Sequence, residues 1–464
     1  MPESSFIFTP RLDGGLDTVS VDFLVAPEDC RDILNFRYFE DGILVKRFGS
    51  SAYGSSPVQI KEGEVVKAVS GKGRYYYNVS PYKRLIIGAG TKIYRGDDTT
   101  GALTAIKSGL TDNAKVNFQQ YEKYYLIVNG NNAPMRYDGT EHGTPLSIWN
   151  LGIKRPASAP TDAGGGAGGV LTGDFYYRFT YYNKNTMHES HPSATSAKIT
   201  VIDKQINLAG ILTVTDADEN EGNTVMYRRI YRIGGGTDDV DTPLTSVWQL
   251  VKEITNNTDV AWTDNTKNDN LGLEMGDDDT DFTCPLGNHE PPFGQYIAYL
   301  HDAIFLAGCP DDAGKGTNPN TVYPSKCEDG ESFPYDYDLN YFIYGYQVGQ
   351  VSKEKDVITG IKAFQDTIVV FQNTSMWQLL GDDFTSYTIR NIDPEIGMSG
   401  QTAVNCDGLL VWWSLEKGIM GWDGGSEIKC LSDDVEPTVL AVDPEKASSA
   451  IACYHKKTYR LFLP

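Results

Sequence analysis

Basic residues are scarce in this chain: 40 Lys and Arg stand against 62 Asp and Glu in 464 residues, a net charge of −22. Affinity for nucleic acid rests mainly on neutralising phosphates with Lys and Arg, so such a surface argues against DNA or an anionic membrane as a gripped ligand. No apolar run approaches the roughly 18 residues of a membrane-spanning helix. The opening MPESSFIFTP has neither the basic start nor the apolar stretch of a secretory signal. The seven cysteines are scattered without a CxxC pair and read as reduced thiols of a protein made in the cytosol. Cys406 and Cys430 could fall on neighbouring strands, an approach read as chance. Helical periodicity is almost missing. The one candidate is APEDCRDILNF, where Pro27 suits the first helical position and Glu28 and Asp29 suit the first turn.

Signatures of chemistry are missing as well. There is no G-x-S-x-G, no HExxH and no catalytic Cys/His pairing, so no catalytic residue, cofactor or metal ligand is expected and the chain is read as a non-enzyme. His188 and His191 in MHESHPS match no zinc spacing and read as a solvated loop. The acidic runs Asp216–Gly222 and Asp277–Asp281 lack the closing Glu of an EF-hand loop and read as polar turns. The GGGAGG stretch is followed by no Lys-Ser/Thr and no helical pattern, which excludes a phosphate loop.

What is present points to strands. Forty-seven glycines and 28 tyrosines accompany brief apolar runs broken by turn clusters, the pattern of an all-β chain. One phrase recurs: an apolar run, turn residues, a second run with Trp, Tyr or Met, then Gly/Asp. It occurs as RLIIGAGTKIYRGDD, KYYLIVNGNNAPMRYDG, DTIVVFQNTSMWQLLGDD and GLLVWWSLEKGIMGWDGG. Runs begin at Leu85 and Tyr124, 39 apart; at Ile368 and Leu409, 41 apart; and at Ile451, 42 further on. A period of roughly 40–45 residues built from hairpins predicts a β-propeller of six or seven blades, with a β-sandwich carrying several hairpins as the other reading. YYLIV, TIVVF and LLVWW are continuous rather than alternating, which requires both faces of those strands to be covered. Leu126, Ile368, Val370, Trp412 and Trp413 are therefore expected to be buried.

Between Tyr124 and Ile368 the period breaks. KRPASAPTDAGGGAGG leads into DFYYRFTYYNKN, SATSAKITVID, NTVMYRRIYRIGGG, WQLVKEIT and DVAWTDN, at least five strands in about a hundred residues. Tyr177, Phe179 and Tyr181 share one face there. The organisation expected is a first propeller part over 1–154, an inserted immunoglobulin- or fibronectin-like sandwich over 155–268, and a second propeller part over 269–464. The insertion is expected to tolerate removal, since insertions sit on surface loops. QYIAYLHDAIFLAG then resumes the hairpin theme. The sequence stops at Leu463-Pro464 just after a strand, so either the N-terminal strand completes the last blade or a further strand follows.

SKCEDGESF, from Ser325, loosely resembles the Ser-Asp-Gly-aromatic box of sialidase propellers, but it occurs once and reads as a blade-edge turn. The N-terminal FIFTPRLDGGLDT…LVAPEDCRDILNFRYFEDGILVKRFGS resembles the opening of the packaged-DNA stabilisation, or tail hub and nozzle, proteins of short-tailed phages. Asn35, Gly42, Arg47 and Gly49 fall in the order of that family's recurring residues, and the local physical reading is a hairpin turning at Asp41-Gly42. ITGIKAFQDTIVVFQNTSMWQLLGDD through LSDDV is similar to the same family's blades, and YYRFTYYNKNTMHESHPSATSA to its sandwich insertions.

The resemblance implies a structural virion protein of the tail, assembled in the host cytoplasm. It implies a homohexameric ring below portal and head–tail adaptor proteins, with needle, nozzle, fibre or tailspike proteins below or beside. Genomic DNA would pass through without specific binding, and nothing would anchor the protein to a membrane. Two other classes use the same folds: a carbohydrate-binding adhesin or fibre component, and a propeller glycosidase.

Overall fold

The structure is a computed structural model. It describes short strands between residues 15 and 77 by backbone alone, and residues 80–463 except 97–101, 113, 123, 138–147, 237–244, 269–270, 272–286, 312–316, 337–340, 350–355, 383–384, 434–439 and 456. The fold is all-β, as the composition predicts, with 53% strand against 2% helix among the described residues. The expected helix at Pro27 is contradicted at Asp29–Cys30, which pairs in parallel with Gly15–Leu16. The rest of that stretch lies outside the described residues. First-turn signals are worth tenths of a kcal/mol each, too little to hold a short helix without a packed face. The N-terminal hairpin is present: Phe36–Phe39 pairs antiparallel with Ile43–Lys46. Its turn lies outside the described residues, as do Asn35, Gly42, Arg47, Gly49 and the acidic run Asp277–Asp281.

Each repeated phrase forms a hairpin, and each hairpin is the middle of a small antiparallel sheet. In the 117–150 sheet, Asn117–Tyr121, Tyr124–Val128, Met135–Tyr137 and Ile148–Asn150 pair in sequence order. The 358–393 and 404–430 sheets repeat this plan. The 66–107 sheet does so with one extra strand, Gly73–Tyr77. In the 296–347 sheet the last strand, Tyr346–Gln347, follows an excursion of the chain. That excursion carries Phe333–Asp336, which pairs with Asn288–His289 on one side and with Tyr341–Phe342 on the other. Ile451–His455 and Thr458–Phe462 make a final two-stranded sheet.

The continuous apolar runs are explained by packing on both faces. Tyr125 and Ile127 pack with Ile86 and Ile93 of the preceding sheet, while Tyr124, Leu126 and Val128 pack with Ile297 and Leu306 of the next. Ile368 and Val370 pack with Phe305 and Val322 of the 296–347 sheet; Val369 and Phe371 pack with Leu410 and Trp412 of the 404–430 sheet. Trp413 turns to the other side, against Ala447, Ala450 and Leu461. Successive residues of one strand thus enter different cores, and five cores alternate with six sheets in chain order. Leu126, Trp412 and Trp413 are 0% exposed and Ile368 and Val370 1%, as the runs require. Each such side chain contributes about 1.5–3 kcal/mol of burial.

The insertion folds around a core of its own. Gly166–Asn183, Ile199–Ala209, Met226–Gly235 and Thr245–Ile254 form its main sheet. Ile199–Ala209 also pairs with Thr161–Asp162 and Trp262–Asp264, so one strand serves two sheet portions. Phe175, Tyr177, Phe179 and Tyr181 point into the core between them. The glycine-rich start has a steric cause. A Cβ on Gly169 would lie 2.0 Å from the Gln205 backbone nitrogen, and Gly173, at φ +126°, would meet Gly235 at 2.2 Å.

Of the described cysteines, Cys309, Cys327, Cys406, Cys430 and Cys453 form no disulfide. Cys406 and Cys430 are not on neighbouring strands. They occupy the first and last strands of one sheet with two strands between them, a separation of roughly 14 Å.

Candidate functional site: the polar seam at the insertion

A cluster of buried charge lies where the insertion meets the 117–150 and 296–347 sheets. Arg136, on the third strand of the 117–150 sheet, has a side chain only 4% exposed. It pairs with Glu221 of the insertion and lies 3.2 Å from Glu331 of the excursion. The Tyr124 ring flanks its guanidinium at 5.3 Å, and Glu331 also accepts the Gly152 N–H at 3.2 Å. One guanidinium is shared by two carboxylates where water barely reaches, and the Asn183 amide adds a donor to Glu221 at 2.7 Å.

Beside this pair, His188 of the insertion approaches Asp329, with Nδ1 3.3 Å from both carboxylate oxygens. Ser332 Oγ donates to Asp329 and also lies 3.2 Å from His188 Nδ1. Ser, His and Asp invite comparison with a catalytic triad, but the geometry differs. In a triad the serine and the carboxylate use opposite imidazole nitrogens. Here both meet Nδ1, while Nε2 accepts the Ile153 N–H at 3.3 Å. Ser332 is also 0% exposed. This cluster cannot relay a serine proton through its imidazole; it fastens one segment to another.

The histidine segment is therefore not the solvated loop its composition suggests. His188 is 1% exposed. Burial opposes its charged form, but the Asp329 carboxylate outweighs that and raises its pKa above the ordinary value. Burial likewise opposes the charged Asp329, and His188, Ser332 and the Glu331 N–H together hold its carboxyl below the usual range. Three serines of the same segment (Ser190, Ser193 and Ser196) accept N–H bonds from Tyr181, Phe179 and Tyr177. They dock it along the strand as a surrogate partner. The acidic stretch Asp216–Gly222 is a turn, as expected, but it faces inward. Glu219 is 6% exposed and pairs with Lys154 at 3.0 Å, while Glu221 meets Arg136. The SKCEDGESF turn supplies Asp329, Glu331 and Ser332 to the same seam. Among the described residues, no three His, Cys, Asp or Glu side chains are grouped to hold a metal ion.

His191 makes the seam sensitive to acid. Its pKa is lowered to about 3 by burial first, then by Arg155, Arg178, His289 and Lys326, and its Nδ1 accepts the Gly287 N–H at 3.0 Å. An unfolded chain would protonate this histidine near 6.5 while the folded one resists. The unfolded state binds the extra proton between those values, so His191's contribution to stability is present above about 6.5 and lost as pH falls towards about 3. The His191→Asn variant keeps an acceptor for Gly287 without titrating. Its midpoint of thermal unfolding is expected to fall less than that of the parent between pH 7 and pH 4.5. Equal falls would show that His191 is not the group responsible.

A cavity of about 360 Å³ opens next to the seam. Pro291, Pro292, Tyr335 and Phe342 form apolar and aromatic walls, and the Lys154–Glu219 pair lies at its edge. The His289 ring lies tilted against Tyr335, with centroids 4.1 Å apart. Burial raises the Glu219 carboxyl above its usual range against the opposing pull of Lys154.

No protein-family model and no curated protein matches the chain. Among solved structures it is similar to a computationally designed protein, Ika8, at 9% identity and TM-score 0.26, over 80% of this chain and 88% of that one. It is also similar to Kluyveromyces lactis Hsv2, at 8% identity and TM-score 0.27, over 86% and 90% of the two chains. Likenesses this weak carry no conclusion about this chain.

Proposed function

We propose that this chain is a β-propeller subunit with an inserted immunoglobulin- or fibronectin-like sandwich, and that it forms a homo-oligomeric ring in the tail of a short-tailed phage. The ring would lie below the portal and adaptor, retain packaged DNA and form part of its exit path. The observation that carries the propeller reading is the series of antiparallel sheets packed face to face in chain order. The first strands of three of them, Asn117–Tyr121, Tyr296–Leu300 and Ile358–Phe364, lie side by side along one cavity. The tail role rests on the N-terminal motif and on the later segments that resemble blades of tail hub proteins. The seam suits a rigid part: it locks insertion to sheets through buried ion pairs, as the wall of a channel requires.

The net charge of −22 favours passage over grip. Each phosphate neutralised by a basic lining adds affinity, whereas an acidic wall repels the polyanion. In a gel-shift titration near physiological salt, no duplex binding is expected at micromolar protein; micromolar or tighter binding would sink the passive-channel reading. The aromatic walls of the 360 Å³ cavity favour a second reading, a carbohydrate-binding adhesin or fibre component. Saturable binding on a glycan array, abolished by Tyr335→Ala, would support that alternative.

A further inference from the structure

A second cavity, of about 420 Å³, lies away from the seam, against the first strands of successive sheets. Its lining comes from 117–119, 296–299, 360–363 and 398–405. In a chain with 62 acidic residues, this lining contains no carboxylate and one charged group, Lys362. Solvent reaches the Lys362 side chain, yet the surrounding protein holds its pKa below the usual lysine value by desolvation. None of the described residues forms a hydrogen bond or ion pair with its ammonium group. Gln401 lines the same cavity, and its amide nitrogen is buried without a hydrogen-bond partner. Asn405, whose Oδ1 accepts the Gly408 N–H at 3.1 Å, has its amide NH2 left to donate.

A buried donor without an acceptor costs about 1–3 kcal/mol, and the Lys362 ammonium beside it offers a positive charge with no carboxylate in the lining to neutralise it. One ligand type answers both groups, a small anion with several acceptor oxygens. Lysine serves phosphate as a point charge that requires no fixed bidentate geometry, and the cavity has room for a phosphate-bearing small molecule but not for a duplex. We propose that this cavity is a phosphate-binding site, with Lys362 as counter-charge and the Gln401 and Asn405 amides as hydrogen-bond donors.

Pyrophosphate, titrated calorimetrically into the full-length protein at low ionic strength, tests this. One saturable site per chain is expected, weakened at least tenfold by Lys362→Gln and retained by Lys362→Arg. Lys429→Gln, a change on the surface of the 404–430 sheet, should leave it unaltered. Absence of saturable binding to the parent protein would overturn the proposal, whether or not any variant folds. Equal binding by Lys362→Gln, or equal weakening by Lys429→Gln, would also overturn it by showing diffuse surface attraction.

Discussion

Trp412→Ala and Trp413→Ala are each expected to lower unfolding free energy by about 3–5 kcal/mol, the cost of a large cavity at a fully buried aromatic. The two residues are adjacent on one strand and point to opposite faces. Trp412 packs with Phe371 at 5.3 Å and donates its indole N–H to the Gly397 carbonyl at 3.2 Å. Trp413 packs with Ala447 and Ala450 in a different core. A sheet buried on one face would tolerate one of the two replacements. A sheet packed between two others tolerates neither. Denaturant titration of both variants reads this directly, and a change below about 0.5 kcal/mol in either, the scale of an ordinary surface substitution, would remove the two-faced packing.

The second large effect is expected at Arg136. Replacing it with Ala leaves the Glu221 and Glu331 carboxylates, 7% and 6% exposed, without their shared cation. Removing one partner of a buried ion pair typically costs about 3–5 kcal/mol. Adding Glu221→Gln and Glu331→Gln to the same variant removes the stranded charges and should recover part of that loss. Failure to recover any would mean that the cost comes from lost packing over Tyr124 rather than from charge. The seam also changes the expectation for the insertion as a whole. Deleting residues 155–268 would remove His188 from Asp329 and Glu221 from Arg136, so the remainder is expected to unfold at lower temperature than the parent.

Much of this fold is legible in the sequence because a single physical requirement writes it. A strand covered on both faces has no polar position to spare, so Tyr124–Val128, Thr367–Gln372 and Leu409–Ser414 stand out as unbroken runs. The hairpin turns between them are equally visible. The seam was not legible. Arg136 lies in MRYDG, Glu221 in DADENEG and Glu331 in EDGES, all composed like surface turns. Their pairing depends on contacts across 85 or more residues of chain, which no local pattern records. MHESHPS misled for the same reason: its serines and histidines bond neighbouring backbone and a distant carboxylate instead of water. Arg228, Arg229 and Arg232 form another example. In a strand they look solvated, yet Arg232 is 1% exposed and pairs with Asp264 at 2.5 Å inside the insertion. Lys362 was hidden too, because a lysine that lines a cavity has the same letter as any other.

The central claim, a propeller subunit that assembles into a tail ring, is tested most directly by electron microscopy of the purified full-length protein with rotational averaging. The account predicts a closed ring of identical subunits around an open central hole, six-fold by the resemblance, with the insertion held rigidly against each subunit. Isolated single-subunit particles at every concentration, and no ring on addition of a portal–adaptor assembly, would contradict it.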